Sequence, residues 1–365
     1  MALPRPTHQF TIPSVYDSIQ LQCRLYHPTH MRHLDEKSTL AKKGAMIGHP
    51  YAPLGGCYDD PVVAIIADEL LKAGYVVGTF NLRYFLHITT VASLNSPTKT
   101  GGAGGSQGRT SWTARPELGD FISFYAFLVY YISGLDPISK PPSGTATGWS
   151  SSTGDETSHP EVIVSGYSYG SMLAIYLPSL ESIQTVFEES REAKAPSKIM
   201  QEAQRLASKW NRDIGPQKDF NQPYPPDHCV EAAGNRKTNI SYLFVSPILP
   251  PISLFTATAL LTSTSRLTTT IQGKLLQASD AHSKVLEHRT LAIYGNRDGF
   301  TSSKKLKDWS EELTKIEDSR FESVMVEGAG HFWHEDNSEA QMRNVIRNWA
   351  AMGDVSPDES RNTSM

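Results

Sequence analysis

Three residue types in this chain could together perform acyl transfer: a serine, a histidine and an aspartate. Ser168 stands in Gly166-Tyr167-Ser168-Tyr169-Gly170, with a glycine two places away on each side. A serine hydroxyl attacks a carbonyl only if it stands clear of its own backbone. A turn sharp enough to hold it there crowds the neighbouring side chains unless they are absent. The hydroxyl also needs a base to take its proton, and that base needs a group to hold its tautomer and stabilise its charge. A bare Gly-x-Ser-x-Gly is common, and a turn serine without chemistry is the competing reading. Context must decide.

The context is a strand, a turn and a helix. Val162-Ile163-Val164 is a continuous apolar run suited to a strand buried on both faces. Ser171 to Leu177 reads as an apolar helix closed by Pro178. The turn between them aims the first N–H groups of the helix at the place where an oxyanion would form.

Partners for Ser168 are sought past the carboxyl ends of other strands, where open parallel sheets place their active groups. After Leu291 to Tyr294 comes Gly295-Asn296-Arg297-Asp298-Gly299-Phe300, with Asp298 in a turn. After Ser323 to Val326 comes Glu327-Gly328-Ala329-Gly330-His331-Phe332-Trp333. His331 follows flexible glycines. Ser168, Asp298 and His331 each fall at the end of their own strand, in that order. A turn aspartate and a surface histidine are the plain alternatives, and His334 competes with His331 for the role of base. One oxyanion donor should be the N–H of Tyr169. The other should come from Tyr51 or Ala52, in the loop after the Gly44 to Gly48 strand. His49, at the start of that loop, reads as a residue that shapes it rather than as a catalyst.

The rest of the chain supplies the scaffold. Phe10 to Tyr26 reads as a β-hairpin turning at Tyr16-Asp17-Ser18. Pro61 opens a helix capped by an aspartate and stopped at Gly74. Tyr75 to Asn81 and Asn239 to Val245 are further strands, Glu117 to Ser133 is an aromatic helix, and Ala340 to Ala351 is a closing helix. Strands alternating with helices imply an α/β fold with a parallel sheet. Leu34 to Lys43 reads as a polar link and 137–160 as a mobile Pro/Ser/Thr/Gly-rich loop. Ser182 to Trp210 has a helical pattern. Ile252 to His288 reads as a pair of helices packed over the sheet's end, and the Thr, Leu and Ile residues of Ile252 to Leu276 would make an apolar pocket. The tail, 353–365, reads as disordered. Tyr84 to Gly101 splits a glycine-rich turn that would otherwise run from Asn81-Leu82-Arg83 straight into Gly102-Ala103-Gly104-Gly105. It reads either as an insertion peculiar to this chain, of the retained-intron kind, or as a surface excursion.

Composition narrows the classes. The 365 residues suffice for one large α/β domain or two small ones. A net charge of −4 and a pI near 6.3 give no basic surface for nucleic acid or anionic lipid. Cys23, Cys57 and Cys229 are odd in number and far apart, which argues against a disulfide framework or a zinc site and fits a reducing compartment. The apolar run Phe121 to Ile132 is too short to span a bilayer, and the start lacks the build of a signal peptide. A cytoplasmic location, no cofactor and no metal are expected; the partner is a small acyl substrate.

On His49-Pro50 with Gly55-Gly56, Asn81-Leu82-Arg83 with Gly102 to Gly108, Gly166 to Gly170, Gly295 to Asp298, and Gly330-His331-Phe332, the chain resembles the α/β-hydrolase superfamily. It looks most like small soluble esterases related to dienelactone hydrolases. The resemblance covers most of Phe10 to Ala351 and implies a single domain. Its sheet would be eight-stranded and mostly parallel, with an antiparallel start and helices on both faces. It also implies a triad of Ser168 as nucleophile, His331 as base and Asp298 as its partner. Residues 84–101 depart from the family's short loop, 182–226 and 252–288 are long enough for lid or cap segments, and Tyr169 is bulky for its position. The expected function is a serine hydrolase acting on an ester, thioester or related acyl bond. An acyltransferase with the same triad and a non-catalytic binding protein on a hydrolase scaffold are the alternatives.

Overall fold

The structure is a computed structural model that describes residues 3–32, 42–83, 106–111, 113–136, 159–190, 194–214, 237–249, 268–271, 273–277 and 281–352. The chain opens with the expected hairpin. Strands β1 (His8–Pro13) and β2 (Gln20–Tyr26) pair antiparallel in continuous register. Strand β3 (Lys43–Gly48) leads to helix α1 (Pro61–Lys72), where the Asp60 carboxylate accepts from the N–H groups of Val62 and Val63 at 2.8 and 3.4 Å. Pro61 takes the first helical position, where no N–H is needed. Strand β4 (Val76–Phe80), the aromatic helix α2 (Arg115–Ser133), strand β5 (Glu161–Tyr167) and helix α3 (Tyr169–Ile175) follow.

The helical pattern beyond resolves into α4 (Leu180–Glu188) and α5 (Ala195–Ile214), and strand β6 is Asn239–Val245. Then the structure departs from expectation. Among the described residues of 252–288, strands β7 (Thr268–Ile271) and β8 (Lys274–Gln277) form an antiparallel hairpin, and α6 (Ala281–Glu287) is helical. The reason is local. Thr268-Thr269-Thr270-Ile271 is β-branched throughout and stiff at χ1, and Gly273 supplies a turn residue at φ +80°. Strand β9 (Thr290–Gly295), helix α7 (Ser303–Thr314), strand β10 (Phe321–Val326) and helix α8 (Ser338–Met352) complete the order.

Eight strands form one sheet in the order β1-β2-β4-β3-β5-β6-β9-β10. Strand β2 runs against both its neighbours, and every pairing from β4 to β10 is parallel. This is the α/β-hydrolase fold. Side-chain alternation divides the central strands between two cores. Ala45, Ile47, Val77, Ile163, Leu243 and Ile293 face α1 and α8. Met46, Val76, Phe80, Val162, Val164 and Phe244 face α2, α3 and their neighbours. A strand covered on both sides has no polar face to keep, so these strands read as unbroken apolar runs.

The site end of the sheet is held by an ion-pair network in which Arg83 and Asp120 are buried and Asp17 is exposed. The Arg83 guanidinium, just past β4, donates to both carboxylate oxygens of Asp120 on α2 at 2.9 and 2.7 Å and to Asp17 in the β1–β2 turn at 2.9 and 3.2 Å. Among the segments expected as lid or cap, α5 packs against α2 and β1, where Trp210 stacks on His27 with ring centroids 3.5 Å apart. That places α5 beside the sheet rather than over the serine. The expectations for 34–41, 84–105, 137–158, 215–226, 252–267 and 353–365 lie outside the described residues, as does Cys229; Cys23 and Cys57 are buried free thiols.

Candidate active site

Ser168 sits between β5 and α3 with φ 56° and ψ −115°, a conformation disfavoured for a residue with a side chain. It is held there by its surroundings. Its N–H donates to the Val245 carbonyl at 2.9 Å, and the Ser171 hydroxyl donates to the Ser168 carbonyl at 2.6 Å. The flanking glycines are required by space. A Cβ on Gly166 would lie 2.2 Å from the Gly170 carbonyl carbon, and one on Gly170 would lie 2.3 Å from the Gly48 carbonyl oxygen. Helix, elbow and β3 thus meet backbone to backbone.

The structure brings Ser168, His331 and Asp298 into one hydrogen-bonded chain. His331 Nε2 lies 2.8 Å from Ser168 Oγ, and His331 Nδ1 lies 2.7 Å from Asp298 Oδ2. The other carboxylate oxygen, Oδ1, accepts from the N–H groups of Phe300 at 2.8 Å and Thr301 at 3.2 Å. A carboxylate so held favours a proton on Nδ1 and leaves Nε2 as the acceptor facing the serine hydroxyl. All three residues are buried. The Phe300 ring stacks on the His331 ring at 4.1 Å, and the Tyr167 hydroxyl donates to the His331 carbonyl at 2.9 Å. His334 is exposed at the cavity rim; the contact to Ser168 Oγ belongs to His331.

Tyr169 and Tyr51 both line the cavity beside Ser168, and Ala52 follows Tyr51 in the same loop as a buried residue of a short 3-10 turn. Tyr169 is the first residue of α3, so its N–H has no partner within the helix. Its ring meets the Tyr51 ring edge-on at 5.1 Å, which draws the loop after β3 up to the elbow. That loop is shaped by His49, which is buried. Its Nε2 accepts from the Leu82 N–H at 2.9 Å, so its Nδ1 carries the proton donated to the Pro50 carbonyl at 2.6 Å. Burial pushes the His49 imidazole down to about 4. It is neutral and structural, as its place at the head of the loop suggested.

A cavity of about 260 Å³ opens beside Ser168 and His331, with apolar walls that include Tyr51, Leu54, Val62, Met172, Ile248 and Phe332. Most of Ile252 to Leu276, expected to make the pocket apolar, lies outside the described residues; among the described residues the lining comes from the β3 loop, α1, α3, Ser111, Ala114, Ile248 and the turns bearing Asp298 and His331. The β7–β8 hairpin instead packs against α2. Reading the sequence missed Phe300 and Tyr167 as supports of His331. It also missed Glu117, whose buried carboxyl is pushed up to about 7 by burial. Phe300 and Tyr167 do stand within the motifs that flag Asp298 and Ser168, which was a usable signal; nothing local marks Glu117. Among the described residues, no group of three or more His, Cys, Asp and Glu side chains stands where it could share a metal ion. No described helix is long and apolar enough to cross a membrane.

No protein-family model and no curated protein sequence matches the chain. Solved structures do. An α/β serine hydrolase homologue from Coxiella burnetii is 15% identical, with 95% of this chain and 99% of that one covered and a TM-score of 0.46. A putative α/β hydrolase from Agrobacterium tumefaciens is 13% identical, with 98% of each chain covered and a TM-score of 0.48. An esterase from Pyrococcus furiosus is 13% identical, with 94% and 89% covered and a TM-score of 0.47. Likeness at this level carries no argument about chemistry, and the fold stands on the strand order described above.

Proposed function

We propose that the chain is a serine hydrolase that cleaves an ester, thioester or related acyl bond without a metal. The observation that carries this reading is the chain Asp298–His331–Ser168, with contacts of 2.7 and 2.8 Å, beside an apolar cavity. Ser168 Oγ attacks the substrate carbonyl while its proton passes to His331 Nε2. The carbonyl oxygen becomes an oxyanion, met by the N–H of Tyr169 and an N–H of Tyr51 or Ala52. Collapse expels the alkoxide or thiolate, which takes the proton from His331 and leaves an acyl group on Ser168. Water then attacks that acyl group, giving a proton to His331. The second tetrahedral intermediate releases the acid and returns the proton to Ser168. Asp298 keeps Nδ1 protonated and stabilises the imidazolium in both halves.

The test is steady-state hydrolysis of p-nitrophenyl esters of increasing acyl length, with fluorophosphonate labelling alongside. Labelling lost in Ser168→Ala and an optimum at short to medium acyl length are expected. A folded protein that neither labels nor hydrolyses would overturn the reading. A chain lacking 84–101, assayed in parallel, reports whether that segment tunes or blocks the activity.

A further inference from the structure

Asp60 is the one carboxylate among the described residues that line the cavity, and it shares that lining with Ser168 and His331. Its two oxygens differ in their surroundings. Oδ1 accepts from the N–H groups of Val62 and Val63 and so completes the first turn of α1. Oδ2 has no hydrogen-bond partner among the described residues and keeps accessible surface, since Asp60 is only partly buried. Burial pushes the Asp60 carboxyl up, and the Val62 and Val63 N–H groups and the nearby His334 and His331 side chains act against it. A partly desolvated carboxylate with an open oxygen gains most from a positive charge. An apolar group set against it leaves it without water and without a partner.

Asp60 belongs to the leaving-group side of the cavity. Its charge acts on His331, His334 and the Tyr167 hydroxyl, and that hydroxyl donates to the His331 carbonyl. The departing oxygen or sulfur takes its proton from His331 Nε2, so the leaving group lies against that imidazole. The exposed Phe332 ring stands at the same place, edge-on to His331 at 5.4 Å and stacked on His334 at 6.0 Å. An aromatic ring and a carboxylate on one cavity suit an alkylated ammonium, which presents apolar methyl groups and a positive charge together. We propose that Asp60, with the Phe332 ring, forms a cation subsite for the leaving group, and that the preferred substrates are esters or thioesters whose alcohol or thiol carries an alkylammonium group. The bonds made and broken are those of the acyl transfer described above, and the cation departs with its alcohol or thiol. This inference deepens the serine-hydrolase reading and rests on it.

The experiment compares kcat/KM for two thioesters of the same shape, S-butyrylthiocholine and S-(3,3-dimethylbutyl) thiobutyrate, which differ only in a quaternary nitrogen against a quaternary carbon. The released thiol is read in both, and the ratio cancels any loss common to the pair. The intact protein is expected to favour the cationic thioester by roughly tenfold or more. Asp60→Asn and Asp60→Ser each keep a good helix cap and remove the charge, and each should bring that ratio toward one. A ratio near one in the intact protein, or a ratio unmoved in the folded variants, overturns the inference and leaves the hydrolase reading intact. A second measurement needs no variant: choline should inhibit p-nitrophenyl butyrate hydrolysis at lower concentration than 3,3-dimethylbutan-1-ol does, and equal inhibition overturns the inference. Fluorophosphonate labelling of Ser168 separates the inference from its foundation. Labelling without cleavage of either thioester overturns the inference, and no labelling removes the reading beneath it.

Discussion

The hydroxyl of Tyr167 donates to the carbonyl of His331 across 2.9 Å, tying the turn that carries Ser168 to the turn that carries His331. Both groups are buried, so the bond has no water to replace it. Tyr167→Phe keeps the ring packed and removes the donor. It is expected to lower stability by about 1 kcal/mol and, by loosening the imidazole, kcat by about tenfold. Urea denaturation and ester kinetics on the same preparation check both. An unchanged kcat would show that the tie is structural only.

Asp298 touches His331 with one oxygen and the backbone of its own turn with the other. Asp298→Asn preserves shape but presents an amide to Nδ1, which favours the wrong imidazole tautomer. The expected loss in kcat is about 10⁴-fold with the fold intact by circular dichroism. A loss under tenfold would assign the acid elsewhere.

Two buried groups bias stability in opposite senses over the same pH window. His49, pushed down to about 4, is neutral when folded; its contribution is complete above pH 6.5 and lost as pH falls toward 4. Glu117, pushed up to about 7, costs nothing below pH 4.5 and progressively more as pH rises toward 7. Each shift corresponds to about 3 kcal/mol. Glu117→Gln should therefore match the parent at pH 4.5 and exceed it at pH 8, with a steeper rise between. Urea midpoints from pH 4.5 to 8 test this, and parallel curves would refute it.

Close backbone approach at the elbow makes Gly170 irreplaceable. A methyl there would meet the Gly48 carbonyl at 2.3 Å, so Gly170→Ala should cost more than about 3 kcal/mol or prevent folding. Gly299, beside Asp298, has open space around its Cβ position, and Gly299→Ala should stay within about 0.5 kcal/mol. Thermal melts of the two variants distinguish a spatial requirement from mere turn preference.

What could be read without coordinates was local. The strand–turn–helix around Ser168, the Asp60 cap, the opening hairpin and the apolar central strands each follow from a few neighbouring residues. Propensity, capping and steric exclusion act over such distances. The order Ser168, Asp298, His331 was legible for the same reason, since each sits where a strand ends. The Thr268–Gln277 hairpin was also local, yet hidden, because Thr and Leu mixtures suit both helix and strand until Gly273 is weighed as a turn.

Only tertiary structure decided which residues wall the cavity. The Tyr167–His331 bond, the stacking of Phe300 on His331 and the Arg83–Asp120 ion pair join residues far apart in the chain. Their pairing depends on how helices settle on the sheet, which the spacing of residues along the sequence does not encode.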